Sequence, residues 1–186
     1  MSDTYIGQLL IATPRMLDPR FKKSVILICE FSNKGVMGLI LNKEISDLTT
    51  KNLLDKVNIP RTNDFSDNSV FNGGPVHSGQ CFILHSNEKS YKSTTTITKG
   101  IFLTTSIQIL KDIGLNNAPL KQKIFLGCSV WDYNQFNREM RENSWFILDS
   151  NLKLIFKYPL DKFLWTESIK KLGVKKENLV NFSGNA

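Results

Sequence analysis

The chain has 186 residues, 41% of them hydrophobic and 22% charged, with a formal net charge of +7. This is an ordinary globular composition, and a chain of that length forms one domain and buries a core without disulfides or metals, which excludes disordered, collagen-like and disulfide-stapled classes. The longest apolar runs, residues 25–29 and 36–41, fall well short of the ~20 residues of a membrane-spanning helix. No basic segment followed by a long apolar stretch opens the chain, so a cytoplasmic location and no membrane partner are expected.

In chain order, residues 5–12 form an apolar run ending at Thr13-Pro14, followed by a polar loop that carries Asp18-Pro19. Residues 24–30 and 36–42 read as buried strands joined by a hairpin through Gly35. Residues 50–58 predict a short helix with Leu53, Leu54 and Val57 inward, stopped by Pro60. Residues 61–69 read as a polar, mobile loop. The segment Val70-Phe71-Asn72-Gly73-Gly74-Pro75-Val76 follows. There an extended pair meets an Asn that tolerates left-handed dihedrals, two glycines without Cβ atoms and a φ-fixing proline, so backbone can approach backbone or a ligand closely.

A strand is expected at 80–86, a polar loop at 87–93, and extended pieces at 94–98 and 100–103. Thr105 or Ser106 caps a helix with the stripe Ile107, Leu110 and Ile113, closed by Gly114. Residues 123–128 form a buried strand. Asp132 caps the next helix, with Gln135 as its capping-box partner and Phe136 and Met140 facing inward. Residues 145–148 and 152–158 read as strands. Asp161 starts a last helix with Leu164, Trp165, Ser168, Ile169 and Leu172 inward and Gly173 at its end. The expected organisation is a domain over residues 1–174 and a loosely held polar tail over 175–186. Eight or nine short strands and four short helices, interleaved irregularly, indicate an α/β or α+β fold.

Chemistry is sparse. Gly127-Cys128-Ser129-Val130-Trp131 has the strand-to-helix context of a nucleophile elbow, but Trp131 replaces the last glycine, and both histidines, His77 and His85, precede Ser129. Two histidines eight residues apart, without Cys-x-x-Cys, make a poor metal set. Cys81 and His85 on one strand stand nearly 14 Å apart at ~3.4 Å per residue, too far for a thiolate–imidazole pair. Cys29, Cys81 and Cys128 sit in apolar segments and read as buried thiols. Asn72-Gly73-Gly74 lacks the lysine of a phosphate loop, and Pro75 removes a donor. Basic residues gather at Arg20, Lys22 and Lys23, at Arg138 and Arg141, and at Lys170, Lys171, Lys175 and Lys176. Lysine nonetheless outnumbers arginine 19 to 5, whereas phosphate recognition favours the arginine fork.

Several segments together resemble the bacterial YqgE/AlgH family: Gly7-Gln-Leu-Leu-Ile-Ala12 with Pro14, Asp18-Pro19-Arg20-Phe21, Ser24-Val25, Gly38-Leu-Ile-Leu-Asn-Lys43, Gly73-Gly74-Pro75-Val76, Phe82-Ile-Leu-His85, Leu103-Thr-Thr-Ser106, Gly127 with Trp131 and Gln135, and Asn143-Ser144-Trp145. The chain departs from the family pattern where Val130, Asp132 and Asn134 replace glycines. Asp and Asn tolerate left-handed dihedrals, but Val130 does not accept positive φ cheaply. The resemblance implies one compact domain with a strongly bent, pseudo-barrel mixed sheet, and it implies no established activity, cofactor or substrate. Members are often described as transcriptional regulators on indirect grounds.

The expected function is therefore non-enzymatic binding or regulation, with no cofactor or metal and with the partner, protein or nucleic acid, left open. Direct nucleic-acid binding and a hydrolase using Ser129 or His77 are the alternatives. The candidate surface comprises Asp18, Phe21, Asn42, Lys43, Gly73, Gly74, Pro75, His77, Ser129 and Trp131, all at strand ends, where function gathers on a rigid scaffold.

Overall fold

The continuous apolar run Val25-Ile-Leu-Ile-Cys29 suits a strand covered on both faces. All five residues are buried in β2 (Val25–Ser32). The structure, a computed structural model, describes residues 5–156 and 163–173. β2 forms a hairpin with β3 (Gly35–Ile40) and pairs on its other side with β1 (Gln8–Ala12). The remaining strands are β4 (Glu44–Thr49), β5 (Ser69–Asn72), β6 (Val76–His85), β7 (Thr94–Thr98), β8 (Ile101–Thr104), β9 (Gln122–Trp131) and β10 (Trp145–Asp149). Along the order β10-β1-β2-β3-β9-β6-β8-β7 every neighbouring pair is antiparallel; β5 lies parallel to β9 and carries β4.

β9 is the strand both wings share. Its C-terminal end pairs with β3 and its N-terminal part with β5 and β6. The sheet curls until its far ends approach each other. A Cβ on Gly7, ahead of β1, would stand 3.1 Å from Thr98 Cβ at the end of β7. The fold is a single α+β domain on a curled half-barrel sheet.

Among the described residues five short helices close the faces: α1 (Thr50–Lys56), α2 (Ile107–Gly114), α3 (Tyr133–Arg141), α4 (Leu152–Phe156) and α5 (Leu164–Lys171). One core cluster joins alternate strand residues such as Leu9, Leu27, Leu39, Phe71 and Phe125 to Leu154, Ile155, Leu164, Trp165 and Ile169 of α4 and α5. On the opposite face α3 packs Phe136 against Leu10, Ile26 and Ile40, while α1 and α2 cover Val70, Ile83 and Ile124. Each fully buried Leu, Ile or Phe contributes roughly 1.5–3 kcal/mol.

Several elements differ from the sequence-based expectation. Residues 152–156 form a helix, not a strand: Asn151 Oδ1 accepts from Leu154 N at 3.0 Å, and Leu154 and Ile155 turn inward together. Residues 157 and 158 of that expected strand, Asp161 and the tail from 174 lie outside the described residues. In α2, Ile109 rather than Ile107 completes the buried stripe. Gly114 does not end that helix through a left-handed turn; a Cβ there would come within 2.4 Å of Pro60 O, so the glycine allows close packing. Val57 follows α1 as an exposed residue. Residues 61–69 are tied down by Arg61–Asp55, by Lys51 N donating to Asp67 Oδ1 and by Thr62 N donating to Gly114 O, and they lead into β5. β4 has no counterpart in the sequence reading; its polar residues and the left-handed Asp47 hide the alternation.

Candidate functional site

The strand ends singled out in the sequence form two adjoining structures. The first is a knot of glycine backbone where the sheet forks. Gly73 N donates to Leu126 O (2.9 Å), and Gly73 O accepts from Ile40 N (2.9 Å) and Ser129 Oγ (3.3 Å). Gly74 N donates to Asn72 Oδ1 (3.0 Å). A Cβ on Gly73 would stand 2.2 Å from Gly127 O, and one on Gly74 would stand 2.3 Å from Cys128 C. Gly127 itself takes φ +73°. Three glycines thus let two backbones run in contact, which no side chain permits. Beyond the knot β6 loops out: Val76 pairs with Cys128 and Cys81 with Leu126, so residues 77–80 face a single residue, Gly127. Pro75 and His77 are exposed there.

The second structure is an aromatic floor beneath a pinned loop. Asn42 accepts from Val25 N and donates to Lys23 O, both at 2.9 Å. Lys43 Nζ donates to Arg20 O at 2.5 Å, and Asp18 pairs with Arg20 at 2.7 Å. The hydrogen bond from Arg20 holds the Asp18 carboxyl below the usual carboxylate range, and partial burial lowers the Lys43 ammonium. These ties set Phe21 against Trp131, stacked at 5.7 Å, and edge-on to Trp145, also at 5.7 Å. Beneath them Glu139 Oε2 accepts from both indoles, and Glu139 Oε1 accepts from Gln135 Nε2 (2.8 Å). A cleft of about 370 Å³ runs between the 15–21 loop and α3. Leu17 stands at its rim, 94% exposed.

Asp18, Phe21, Asn42, Lys43 and Trp131 therefore converge, whereas Gly73, Gly74, Pro75, His77 and Ser129 belong to the fork beside them. Gly73, Gly74, Ser129 and Trp131 are buried rather than on the surface, and they act by holding backbone and rings in place. The replaced family glycines cost no backbone strain, because Val130, Asp132 and Asn134 all avoid positive φ. Asp132 caps α3 by accepting from Gln135 N at 2.8 Å, but the Gln135 side chain turns to Glu139 instead of closing a capping box. Sequence reading missed Glu139. Its spacing from Trp131 and Gln135 on an amphipathic helix was the available signal. Burial pushes the Cys81 thiol up to about 12 and raises Cys29 and Cys128 as well. Among the described residues no group of three or more His, Cys, Asp or Glu side chains lies close enough to hold a metal ion, and no helix is long and apolar enough to cross a membrane.

The chain is an α+β protein with a loop-and-helix cleft over clustered aromatic rings. The AlgH-like family model matches residues 9–177, and the chain belongs to that family, YqgE/AlgH. It is 36% identical over 181 residues to a UPF0301 protein of Erwinia tasmaniensis and 37% identical over 179 residues to one of Pseudoalteromonas translucida; each match covers 95% of this chain and 96% of the relative. The solution structure of the AlgH protein from Pseudomonas aeruginosa is similar over 100% of this chain and 98% of that one, with a TM-score of 0.75 and 29% identity. A crystal structure of a Corynebacterium diphtheriae protein shares the fold, with a TM-score of 0.73 and 18% identity over 98% of this chain and 93% of that one.

Proposed function

We propose that this chain is a cytoplasmic, non-catalytic binding protein with a regulatory role, and that it docks a protein partner at the cleft between the 15–21 loop and α3. The observation that carries this reading is the pinned loop itself. Lys43 and Asn42 hold its backbone, Phe21 anchors it on two tryptophans, and Leu17 is left 94% exposed at the rim. A rigid loop that presents a bare apolar side chain beside a polar cleft suits recognition, because little ordering entropy is lost on binding. Ser129 adds support from the other side. Its hydroxyl is buried and engaged by Gly73 O, which is a poor setting for a nucleophile. The regulatory part of the reading rests on the family resemblance and on the name AlgH carried by the Pseudomonas aeruginosa relative.

The test compares transcript profiles of a deletion strain complemented with the wild-type chain, with Leu17→Asp, or with Ser129→Ala/His77→Ala. The double variant is expected to restore the wild-type profile and Leu17→Asp to fail, each with a wild-type Tm. A folded double variant that fails while Leu17→Asp succeeds favours the enzyme instead.

A further inference from the structure

The other flank of α3 carries a feature that the cleft does not use. Residues three and four apart share a helix face. Gln135, Glu139 and Glu142 line the cleft beneath the 15–21 loop, whereas Asn134, Asn137 and Arg141 face away from it into a second, open groove of about 540 Å³ with Tyr5, Tyr133 and Met140. The acidic residues of the helix thus lie on one side, and among the described residues the second groove has no carboxylate in its lining.

Two rings of that groove, Tyr5 and Tyr133, belong to a chain of aromatic rings. Tyr5 meets Phe31 edge-on at 5.0 Å and Phe136 at 5.5 Å, and Phe31 meets Tyr133 at 6.0 Å. Phe136 is fully buried, so the cluster is rooted in the core, while Tyr133 is 40% exposed. Among the described residues neither tyrosine hydroxyl has a hydrogen-bond partner, and neither the Arg138 nor the Arg141 guanidinium pairs with a carboxylate. The contrast with Arg20 and Arg61 is plain, since both are engaged by aspartates at 2.7 Å. Among the described residues the Asn134 amide is also unengaged, and Asn137 donates only to Tyr133 O (2.9 Å).

We infer that this groove binds single-stranded nucleic acid. Exposed Tyr133, beside the half-buried, core-rooted Tyr5, offers a stacking platform that accepts any base, because every base has a π face. The free Arg141 guanidinium in the lining matches a backbone phosphate as a bidentate fork. A free asparagine amide pairs with a base edge. A basic position in the last turn of a helix is favoured by the helix dipole alone, but the dipole asks for no exposed tyrosine beside it. The single strand is favoured over a duplex because the two tyrosine rings line a groove, where only an unstacked base reaches them.

The test measures fluorescence anisotropy of a labelled short oligouridylate with the full chain. Binding is expected at about 50 mM salt and should weaken linearly against log salt. Tyr133→Ala should weaken it roughly 5- to 150-fold, from the 1–3 kcal/mol of one stacked base, while Tyr133→Phe keeps most of the affinity. Arg141→Gln should lower the salt slope by about 0.7, the share of one phosphate contact on a single strand. Leu17→Asp should leave oligonucleotide binding unchanged, so a failure here and a failure of the cleft reading are distinguishable. The inference is overturned if no binding is seen at that salt, if Tyr133→Ala binds as wild type, or if a duplex of matching length binds as tightly. It is equally overturned if polyglutamate competes as well as the oligonucleotide, which would make the groove a site for acidic proteins.

Discussion

Trp131 and Trp145 share one acceptor. Their indole N–H groups reach the same oxygen, Glu139 Oε2, at 3.0 and 2.8 Å, and their rings meet at 89° with centroids 6.0 Å apart. The two residues lie on β9 and β10, at the two ends of α3, so one carboxylate ties the helix to both strands. Both indoles are almost fully buried. Removing the acceptor leaves two buried donors without partners, each costing about 1–3 kcal/mol. Glu139→Ala should therefore destabilise the chain by roughly 2–5 kcal/mol in urea unfolding, with a loss of near-UV tryptophan signal. Glu139→Gln keeps one carbonyl acceptor and should cost less than half as much. Equal losses for the two variants would mean that packing, not the shared acceptor, supplies the stability.

The fork at Gly73 and Gly74 sets a second expectation. A Cβ at either position would fall 2.2–2.4 Å from the backbone of Gly127 or Cys128, where nothing flexible can yield. Gly73→Ala and Gly74→Ala should each cost about 3 kcal/mol or more, the upper end of overpacking. Gly79, in the outlying 77–80 bulge, meets nothing within 4 Å and does not take positive φ. Gly79→Ala should be neutral or stabilise by about 0.4–1 kcal/mol through the unfolded state. Urea midpoints of the three variants check the contrast.

These two sites mark what was legible in the sequence. The Asn-Gly-Gly-Pro turn stood out because only glycine satisfies a contact between two backbones, and that demand is visible in the residue type. Glu139 did not stand out, since a glutamate among Arg138, Arg141 and Glu142 looks like part of a solvated helix face. Its role comes from two tryptophans that fold back to it from other elements. Residues 152–156, apolar apart from Lys153, carried no periodic signal able to separate a strand from a short helix, and Asn151 decided the matter through a local cap. Val130 looked strained only while the joint was read as a glycine loop. In the structure it continues β9 and pairs with Met37.

The three thiols should be slow to react. Cys29 and Cys128 are buried, and Cys81 is half-buried with its thiol raised to about 12. The thiolate is the reactive form, so at pH 8 a disulfide reagent should label the native chain far more slowly than the unfolded chain, with Cys81 first. Mass spectrometry of the partly labelled protein identifies the order. Early labelling at Cys128 would contradict the burial of that strand.

His85 gives the chain an acid-sensitive point. Its ring is fully buried, with Nδ1 donating to Ser86 O at 2.9 Å and with edge-on contacts to Tyr91 (5.6 Å) and Phe102 (5.8 Å). Nε2 has no partner. Burial holds the imidazole pKa below its ordinary value of 6.5, against the weaker upward pull of the Ser86 carbonyl and Glu88. The folded ring therefore stays neutral at pH values where the unfolded ring has already taken a proton. The unfolded state then binds more protons, so stability rises with pH across that window. The contribution is complete above about pH 6.5 and declines as pH falls through that value, levelling off below the depressed folded pKa. Chemical unfolding of the wild-type chain between pH 7.5 and pH 5 should show this decline, while His85→Gln, which cannot take the proton, should lose the part of the slope that lies below pH 6.5. Parallel slopes for the two proteins would assign the decline to other groups, among them Asp112, whose hydrogen bonds from Gln108, Lys89 and Tyr91 outweigh burial and keep its carboxyl below the usual range.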